Sequence, residues 1–135
     1  MKLAIARRRT CGIAGLAVLL AAMSFGAAAQ NIFDFDDWMQ RIEDGSLDLQ
    51  RHIAARDPQS ASGAAREIEE LYGLMAEFFE KRGNAEDAVR WSREGRDFAV
   101  KAQADLAARR FVSAKRNALA IAHGCRDCHF NYKPL

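Results

Sequence analysis

The sequence predicts an all-α protein, an antiparallel up-down-up-down four-helix bundle. Beyond residue 30 no run of alternating β-branched residues occurs, and Ala, Glu, Arg and Leu dominate. Apolar residues recur at spacings of three and four, the period of a helix that buries one face. Four such stretches of about 20 residues follow one another with short joints, which is typical of an up-down bundle.

Residues 1–29 precede the bundle and have the three parts of a secretory signal peptide. Lys2 and the arginines at 7–9 form a basic start, residues 12–23 form an uncharged apolar run, and three alanines before Gln30 form a cleavage site. We therefore expect export to the periplasm and a mature domain of residues 30–135. Because residues 11–29 are uncharged and just long enough to span a bilayer, the alternative is an uncleaved membrane anchor.

Cleavage also changes the charge balance of the chain. It removes four of the 20 basic residues and none of the 18 acidic residues, so the net charge changes from +2 to −2. A domain with this balance has no basic footprint for nucleic acid. Of the three cysteines, Cys11 leaves with the signal segment, and Cys125 and Cys128 remain.

The first two helices are predicted over residues 36–56 and 63–82. One face of the first helix carries Met39, Ile42, Ser46, Leu49 and Ile53. Pro58 sets its end, because the residue before a proline avoids the helical region. The inner face of the second helix carries Ile68, Leu71, Met75, Phe78 and Phe79. Gly83 ends this helix, and Asn84 is predicted to cap the third.

The last two helices are distinguished by a change in the phase of their apolar residues. The third helix begins near Ala85, and its face carries Trp91, Gly95, Phe98, Ala102 and Leu106. If the helix continued beyond Leu106, the same face would carry Arg109 and Ser113, which are polar. The apolar residues instead resume on another phase, at Phe111, Ala114, Ala118, Ile121 and Cys125. The sequence therefore predicts a turn within residues 107–113, since a single helix over 85–131 would be about 70 Å long.

A chemical motif lies near the end of the fourth helix. Residues 125–129 are Cys-Arg-Asp-Cys-His, the C-x-x-C-H signature of covalent c-type haem attachment. In this chemistry each thiol adds to one vinyl group of haem, and the imidazole binds the iron. At about 100° per residue, Cys125, Cys128 and His129 fall within roughly a 100° arc of a helix, so all three face one planar cofactor. Gly124, just before the motif, leaves room for the ring.

Other chemistries of such a cysteine pair have weaker support. A zinc site normally needs four protein ligands or an open catalytic position, and the sequence has no second C-x-x-C. A thioredoxin-like dithiol needs a βαβ context, which is not predicted here. A plain disulfide is common in exported proteins but leaves the adjacent His129 unexplained.

A helical bundle with C-x-x-C-H a few residues from its end resembles the class II c-type cytochromes, the cytochrome c′ family. The run at 125–133 resembles that family's ending, in which an aromatic-basic pair, here Tyr132 and Lys133, follows the motif. The resemblance implies one covalent haem c and, in some members, a homodimer formed through the first two helices. It also implies two options for the sixth position of the iron. Low-spin members place a first-helix methionine there and transfer electrons, whereas cytochromes c′ leave it open and bind small gases.

The order of the helices ranks the candidates for the sixth ligand. In an antiparallel bundle, the end of the fourth helix lies beside the start of the first, the end of the second and the start of the third. Met39 is at that end on an inward face and is the predicted sixth ligand, and Met75 is the weaker candidate at the same level. His52 lies about 20 Å further along the axis, and His123 is on the same helix as His129. The alternatives are a Met39 that only fills the core and an open or water-bound site.

The same end of the bundle gathers many of the aromatic residues, which suit a flat apolar cofactor. The predicted walls of the haem pocket are Trp38, Phe78, Phe79 and Trp91. Three cations are candidates to neutralise the haem propionates, namely Arg41, Arg126 and Lys133.

These observations predict a periplasmic electron carrier with His129 and Met39 as axial ligands, exchanging electrons with redox partner proteins. No acid-base or nucleophile constellation is present, so we do not expect an enzyme. The alternative is a five-coordinate binder of nitric oxide or carbon monoxide. A weak peroxidase would need a polar group beside the open iron, whereas the predicted haem end is aromatic and apolar.

Overall fold

The computed structural model of the chain describes residues 32–132, with side chains from residue 34. It contains four helices, α1 (Ile32–Ala54), α2 (Pro58–Arg82), α3 (Glu86–Ala107) and α4 (Phe111–Tyr132). Each helix packs against the next, and α1 packs against α4, which closes the bundle. The prediction of an all-α four-helix bundle is therefore confirmed. The predicted signal segment and Lys133 lie outside the described residues.

None of the four described helices is both long and apolar enough to cross a membrane. Their inner faces meet in a core that contains most of the residues expected from the apolar period. Helices α1, α2 and α4 each contribute completely buried large side chains: Leu49, Ile68, Phe79 and Ile121. The core side of α3 is instead built largely from small residues, which lets its neighbours approach closely: Ala88, Ser92, Gly95, Ala99 and Ala102.

The connection between α1 and α2 differs from the prediction. Helix α2 begins at Pro58, five residues earlier than predicted, and α1 ends at Ala54. The Asp57 carboxylate accepts hydrogen bonds from the backbone N–H groups of Gln59 and Ser60, which caps α2. Pro58 thus starts the helix, where a missing N–H breaks no hydrogen bond within the helix.

The connection between α2 and α3 also differs in one respect. Gly83 has a φ of 71° and donates its N–H to the Phe79 carbonyl, so it ends α2 as predicted. Asn84 also has a positive φ, of 52°, which asparagine tolerates better than most residues. Ala85 occupies the N-cap position of α3 and makes no side-chain cap bond. The prediction of Asn84 as the cap is therefore wrong, because Asn84 is needed one residue earlier for the reversal of the chain.

The connection between α3 and α4 falls within the predicted residues 107–113. It is held by Asp105, a buried carboxylate that accepts hydrogen bonds from Arg110 Nε and Asn117 Nδ2, both at 2.9 Å. Hydrogen bonding from Ser113, together with that from Arg110 and Asn117, lowers the pKa of Asp105, although burial acts in the opposite direction. Asp105 therefore joins the last turn of α3 to the first turns of α4.

We predict that Asp105→Asn lowers the free energy of unfolding by about 1–3 kcal/mol at neutral pH, since it replaces a charge-assisted acceptor with an amide. Because the pKa of Asp105 is lower in the folded state, its charge stabilises the fold above the ordinary value of 3.8. That stabilisation is lost as the pH falls through the lower folded-state pKa. Urea unfolding across this range measures the difference between the two proteins. The exposed Asp97 on the same helix offers the control Asp97→Asn, and an equal loss in both variants would contradict the assignment.

Candidate haem site

A cleft of about 410 Å³ opens between α1 and α4 and reaches inward to α2 and α3. It lies near the end of α4 and the start of α3, and along α1 it runs from Met39 to Gln50. Its volume is within the range of small-molecule and cofactor sites. The sequence predicts a site beside the end of α4, and the cleft lies there.

The α4 wall of the cleft carries the whole C-x-x-C-H motif. Cys125, Cys128 and His129 all line it, and Gly124 precedes them on the same wall. Cys128 is 8% exposed, Cys125 and His129 are half-buried, and both thiols are free. One helix therefore presents two thiols and an imidazole to one cavity, as the spacing of the motif predicts.

The surroundings of the two thiols keep them protonated. Burial raises the pKa of Cys125, and burial together with Cys125 and Asp87 raises that of Cys128 to about 11. Cysteines that act in disulfide exchange have the opposite property, a pKa lowered by nearby positive charge or a helix start. The electrostatics of the cleft thus give no support to a dithiol redox role.

A tyrosine that we did not single out from the sequence stands beside the motif. The Tyr72 hydroxyl lies 3.8 Å from Cys125 Sγ, and the ring is buried. Burial, and secondarily Cys125, raise the pKa of Tyr72 well above 10, so the hydroxyl keeps its proton. Its ring packs on Gly95 of α3, where a Cβ atom would lie 2.5 Å from the nearest ring carbon. Gly95 thus allows the close approach that brings Tyr72 to the cleft.

We predict that Gly95→Ala destabilises the protein by about 1–3 kcal/mol, because the added methyl group displaces the Tyr72 ring. Helix propensity alone would favour alanine by about 1 kcal/mol. Gly73 on α2 is the matched control, since a Cβ there would meet no atom within 4 Å. Thermal unfolding of Gly95→Ala and Gly73→Ala should therefore give changes of opposite sign. Equal stabilisation of both variants would show that the Tyr72 contact does not matter.

Both methionines predicted as candidate sixth ligands face the motif. Met39 of α1 and Met75 of α2 line the cleft, with Met39 half-buried and Met75 2% exposed. His52 and His123 do not line it, and His123 instead contacts Arg126 through a 3.2 Å hydrogen bond. The structure thus brings either methionine to the site, and the preference for Met39 stays a prediction.

The α1 wall is more polar than the sequence predicts. Glu43, Ser46 and Gln50 line the cleft on this helix. Ser46 is 4% exposed, and within the described part of the chain its Oγ has no hydrogen-bond partner. The expectation of a wholly apolar haem end is therefore wrong for this wall, because Ser46 lies at an inward position whose neighbours in the helical period are apolar.

The predicted aromatic walls divide into two groups. Trp91 lines the cleft, whereas Trp38, Phe78 and Phe79 do not. Phe35 packs on Phe78 and Phe79 at centroid distances of 5.0 and 5.4 Å, and Trp38 packs on Phe78 at 6.4 Å. They form an aromatic cluster that fills the core behind the cleft.

The candidate cations Arg41 and Arg126 differ in their position relative to the cleft. Arg126 lines the cleft and is exposed to solvent. Arg41 does not line it, because its guanidinium bonds Glu67 at 2.6 Å and reaches Asp37 at 3.6 Å. Arg126 is thus the one of the three that the structure brings to the site, with Lys133 outside the described residues.

The end of α4 is held in place by a hydrogen bond. The Tyr132 hydroxyl donates to Asp87 Oδ1 of α3 at 2.5 Å, and this bond lowers the pKa of Asp87. The ring of Tyr132 also packs on Phe79 and Trp91. These contacts anchor α4 three residues beyond His129, which restricts the orientation of the motif.

The residues of the cleft fit a haem held through the motif. Two thiols and an imidazole share one wall, methionines and Trp91 supply apolar surface, and the unpartnered Ser46 hydroxyl suits a group with polar atoms. Comparisons of the chain with family models, with curated proteins and with solved structures give no match.

Proposed function

We propose that the protein is an exported electron-transfer c-type cytochrome with one covalent haem. The observation that carries this proposal is the C-x-x-C-H motif, whose two thiols and imidazole line a single cleft faced by methionine. Cys125 and Cys128 would form the thioethers, His129 would be the proximal ligand, and Met39 would be the sixth ligand. The haem supplies a one-electron ferric/ferrous couple.

The side chains around the motif suit this role. A thioether sulfur on iron raises the reduction potential, since it stabilises the reduced form. Buried apolar groups such as Ile42 and Met75 limit access of water, and so lower the local dielectric around the metal. Arg126 at the cleft mouth would partner a haem propionate. We assign no catalytic residue, and the expected partners are redox proteins outside the cytoplasm.

A second candidate function follows from the polar α1 wall. If no methionine binds the iron, α1 still contributes the unpartnered Ser46 hydroxyl to the cleft wall that faces the motif, where it would be available to a ligand of the iron. Such groups stabilise bound diatomic ligands by hydrogen bonding. The protein would then be a five-coordinate binder of nitric oxide or carbon monoxide.

Electrochemistry of the haem-loaded protein tests the electron-transfer proposal. We expect a reversible one-electron wave that does not change when hydrogen peroxide is added. Covalent haem without a reversible wave would contradict electron transfer. A catalytic current with peroxide would contradict the assignment as a non-enzyme.

A further inference from the structure

Two of the three connections between helices contain an arginine in the left-handed backbone conformation. Arg56 after α1 has a φ of 56°, and Arg109 after α3 has a φ of 54°. In both, the N–H of the arginine donates to the carbonyl three residues back, and the next N–H donates to the carbonyl five residues back. Glycine usually completes this pattern. At the other end of the bundle the chain follows that usual choice, since Gly83 and Asn84 have the positive φ values there.

The strained backbone of these two arginines is not needed to end the helices. A side chain with a Cβ atom costs free energy in the left-handed region, and glycine would end each helix without that cost. Both side chains are exposed, and neither forms an ion pair or hydrogen bond with any residue between 34 and 132. The guanidinium of Arg56 lies over the ring of Phe111, 5.8 Å from its centroid, which brings the two connections together. Two charges that the fold does not use are therefore held at one end of the bundle.

The same end of the bundle is basic as a whole. Its two connections and the adjoining turns, residues 51–63 and 104–116, have six lysines or arginines and two acidic residues. Both acidic residues have roles within the fold, since Asp57 caps α2 and Asp105 is bonded to Arg110. We call this end the basic pole, which comprises Arg56, Arg109, Arg110, Val112, Lys115 and Arg116.

The opposite end of the bundle, where the motif lies, is acidic. Its helix ends, residues 34–39, 79–91 and 126–132, have seven acidic and four basic residues. The bundle is therefore an electric dipole along its axis, with the motif at the negative end. Val112 precedes His129 by 17 residues of one helix, so the basic pole lies about 25 Å from the imidazole. An anionic surface attracts one end and repels the other, and so orients the whole molecule.

We propose that the basic pole binds the anionic headgroups of a phospholipid surface. Such a surface is flat, so cations on two separate connections contact it at once, and each adds to the binding. Val112, which is 80% exposed, would enter the headgroup region between these cations. An acidic protein fits less well, because a protein interface has an apolar centre. Among the described residues, Val112 is the one large exposed apolar side chain at this pole.

Binding through the basic pole would turn the motif end of the molecule away from the lipid. The cleft would then stay accessible to redox partners while the protein is held at the surface. None of the residues of the basic pole lines the cleft, so this inference goes beyond electron transfer and does not depend on the haem.

Sedimentation with phospholipid vesicles tests the proposal on the haem-loaded protein. The unaltered protein should bind vesicles of phosphatidylglycerol and phosphatidylcholine and should not bind vesicles of phosphatidylcholine alone. Binding should weaken between about 0.1 M and 1 M salt, where the screening length shortens from about 10 Å to 3 Å. The variant Arg56→Gly with Arg109→Gly removes both charges at positions whose φ suits glycine, so the fold is kept. We expect this variant to bind the anionic vesicles at least about tenfold more weakly.

Two control variants separate charge at the basic pole from other effects. Arg56→Lys with Arg109→Lys keeps both charges and should bind as the unaltered protein does. Arg66→Gln with Arg82→Gln removes two charges from exposed positions of α2 outside the basic pole, and should also leave binding unchanged.

Three results would overturn the proposal. One is an unaltered protein that does not bind the anionic vesicles, or that binds phosphatidylcholine equally well. Another is a glycine variant that binds as tightly as the unaltered protein. The third is binding of the basic pole to polyglutamate but not to the anionic vesicles, which would assign it to an acidic protein partner instead.

Discussion

Replacing Cys125 and Cys128 together with alanine is expected to abolish covalent haem. Each thioether needs one of these two sulfur atoms, and both line the same cleft as His129. A non-covalent haem would be released by acidified organic solvent, whereas a thioether-bound haem stays with the protein. Mass spectrometry of the denatured chain therefore measures the effect directly. We expect one haem mass on the unaltered protein and none on the double variant.

The single-cysteine variants measure the contribution of each thiol separately. Cys125→Ala and Cys128→Ala should each retain at most one attachment and give haem absorption bands shifted from those of the parent. Ser92→Ala is a matched control, because Ser92 also lines the cleft but its hydroxyl already donates to the Ala88 carbonyl at 2.8 Å. Haem retained at full mass in the double cysteine variant would contradict the attachment.

The second large effect is expected from Met39→Leu, which removes a thioether sulfur while nearly keeping the side-chain volume. With its sixth ligand lost, the ferrous iron should bind carbon monoxide, whereas we expect the parent protein to be inert to it. The reduction potential should fall by on the order of 100 mV or more, a fraction of the roughly 0.8 V over which axial ligands tune haem. Absorption spectra and redox titration measure the two quantities.

Met75→Leu is the control for this prediction, since Met75 lines the same cleft from α2. We expect that variant to keep the parent spectrum and to remain inert to carbon monoxide. If Met75→Leu opens the iron and Met39→Leu does not, the sixth ligand is Met75. If neither variant changes the spectrum, methionine ligation is contradicted.

The fold was predictable because the spacing of apolar residues that indicates each helix lies within that helix. The change in apolar phase between Leu106 and Phe111 placed the third connection, since one straight helix cannot bury two separate stripes. The early start of α2 was missed although Asp57 before Pro58 is a helix-start signal. Pro58 taken alone also fits the end of α1, and only the Asp57 carboxylate distinguishes the two possibilities. Gly83 and Asn84 both have a positive φ. The prediction gave the positive φ to Gly83 alone and therefore assigned Asn84 to the N-cap of α3.

The candidate site was predictable only in part, because some of its residues are brought together by contacts between helices. The two cysteines and His129 share one helix, so their common direction follows from helical geometry alone. The position of Tyr72 depends on how closely α2 and α3 approach at Gly95, which spacing within one helix does not determine. The division of the aromatic residues between cleft and core likewise depends on the rotation of each helix about its axis. Trp91 and Phe79 occupy the same end of the bundle, yet only Trp91 reaches the cleft.

The absorption spectrum of the purified haem-loaded protein tests the central claim most directly. It should be recorded oxidised and reduced, before and after addition of carbon monoxide. The proposal predicts a covalent, low-spin haem whose spectrum carbon monoxide does not change. A high-spin ferrous spectrum that shifts at once with carbon monoxide would contradict the sixth ligand and make gas binding the leading function. The absence of any covalent haem band, in cells that attach haem to other c-type cytochromes, would contradict the cofactor itself.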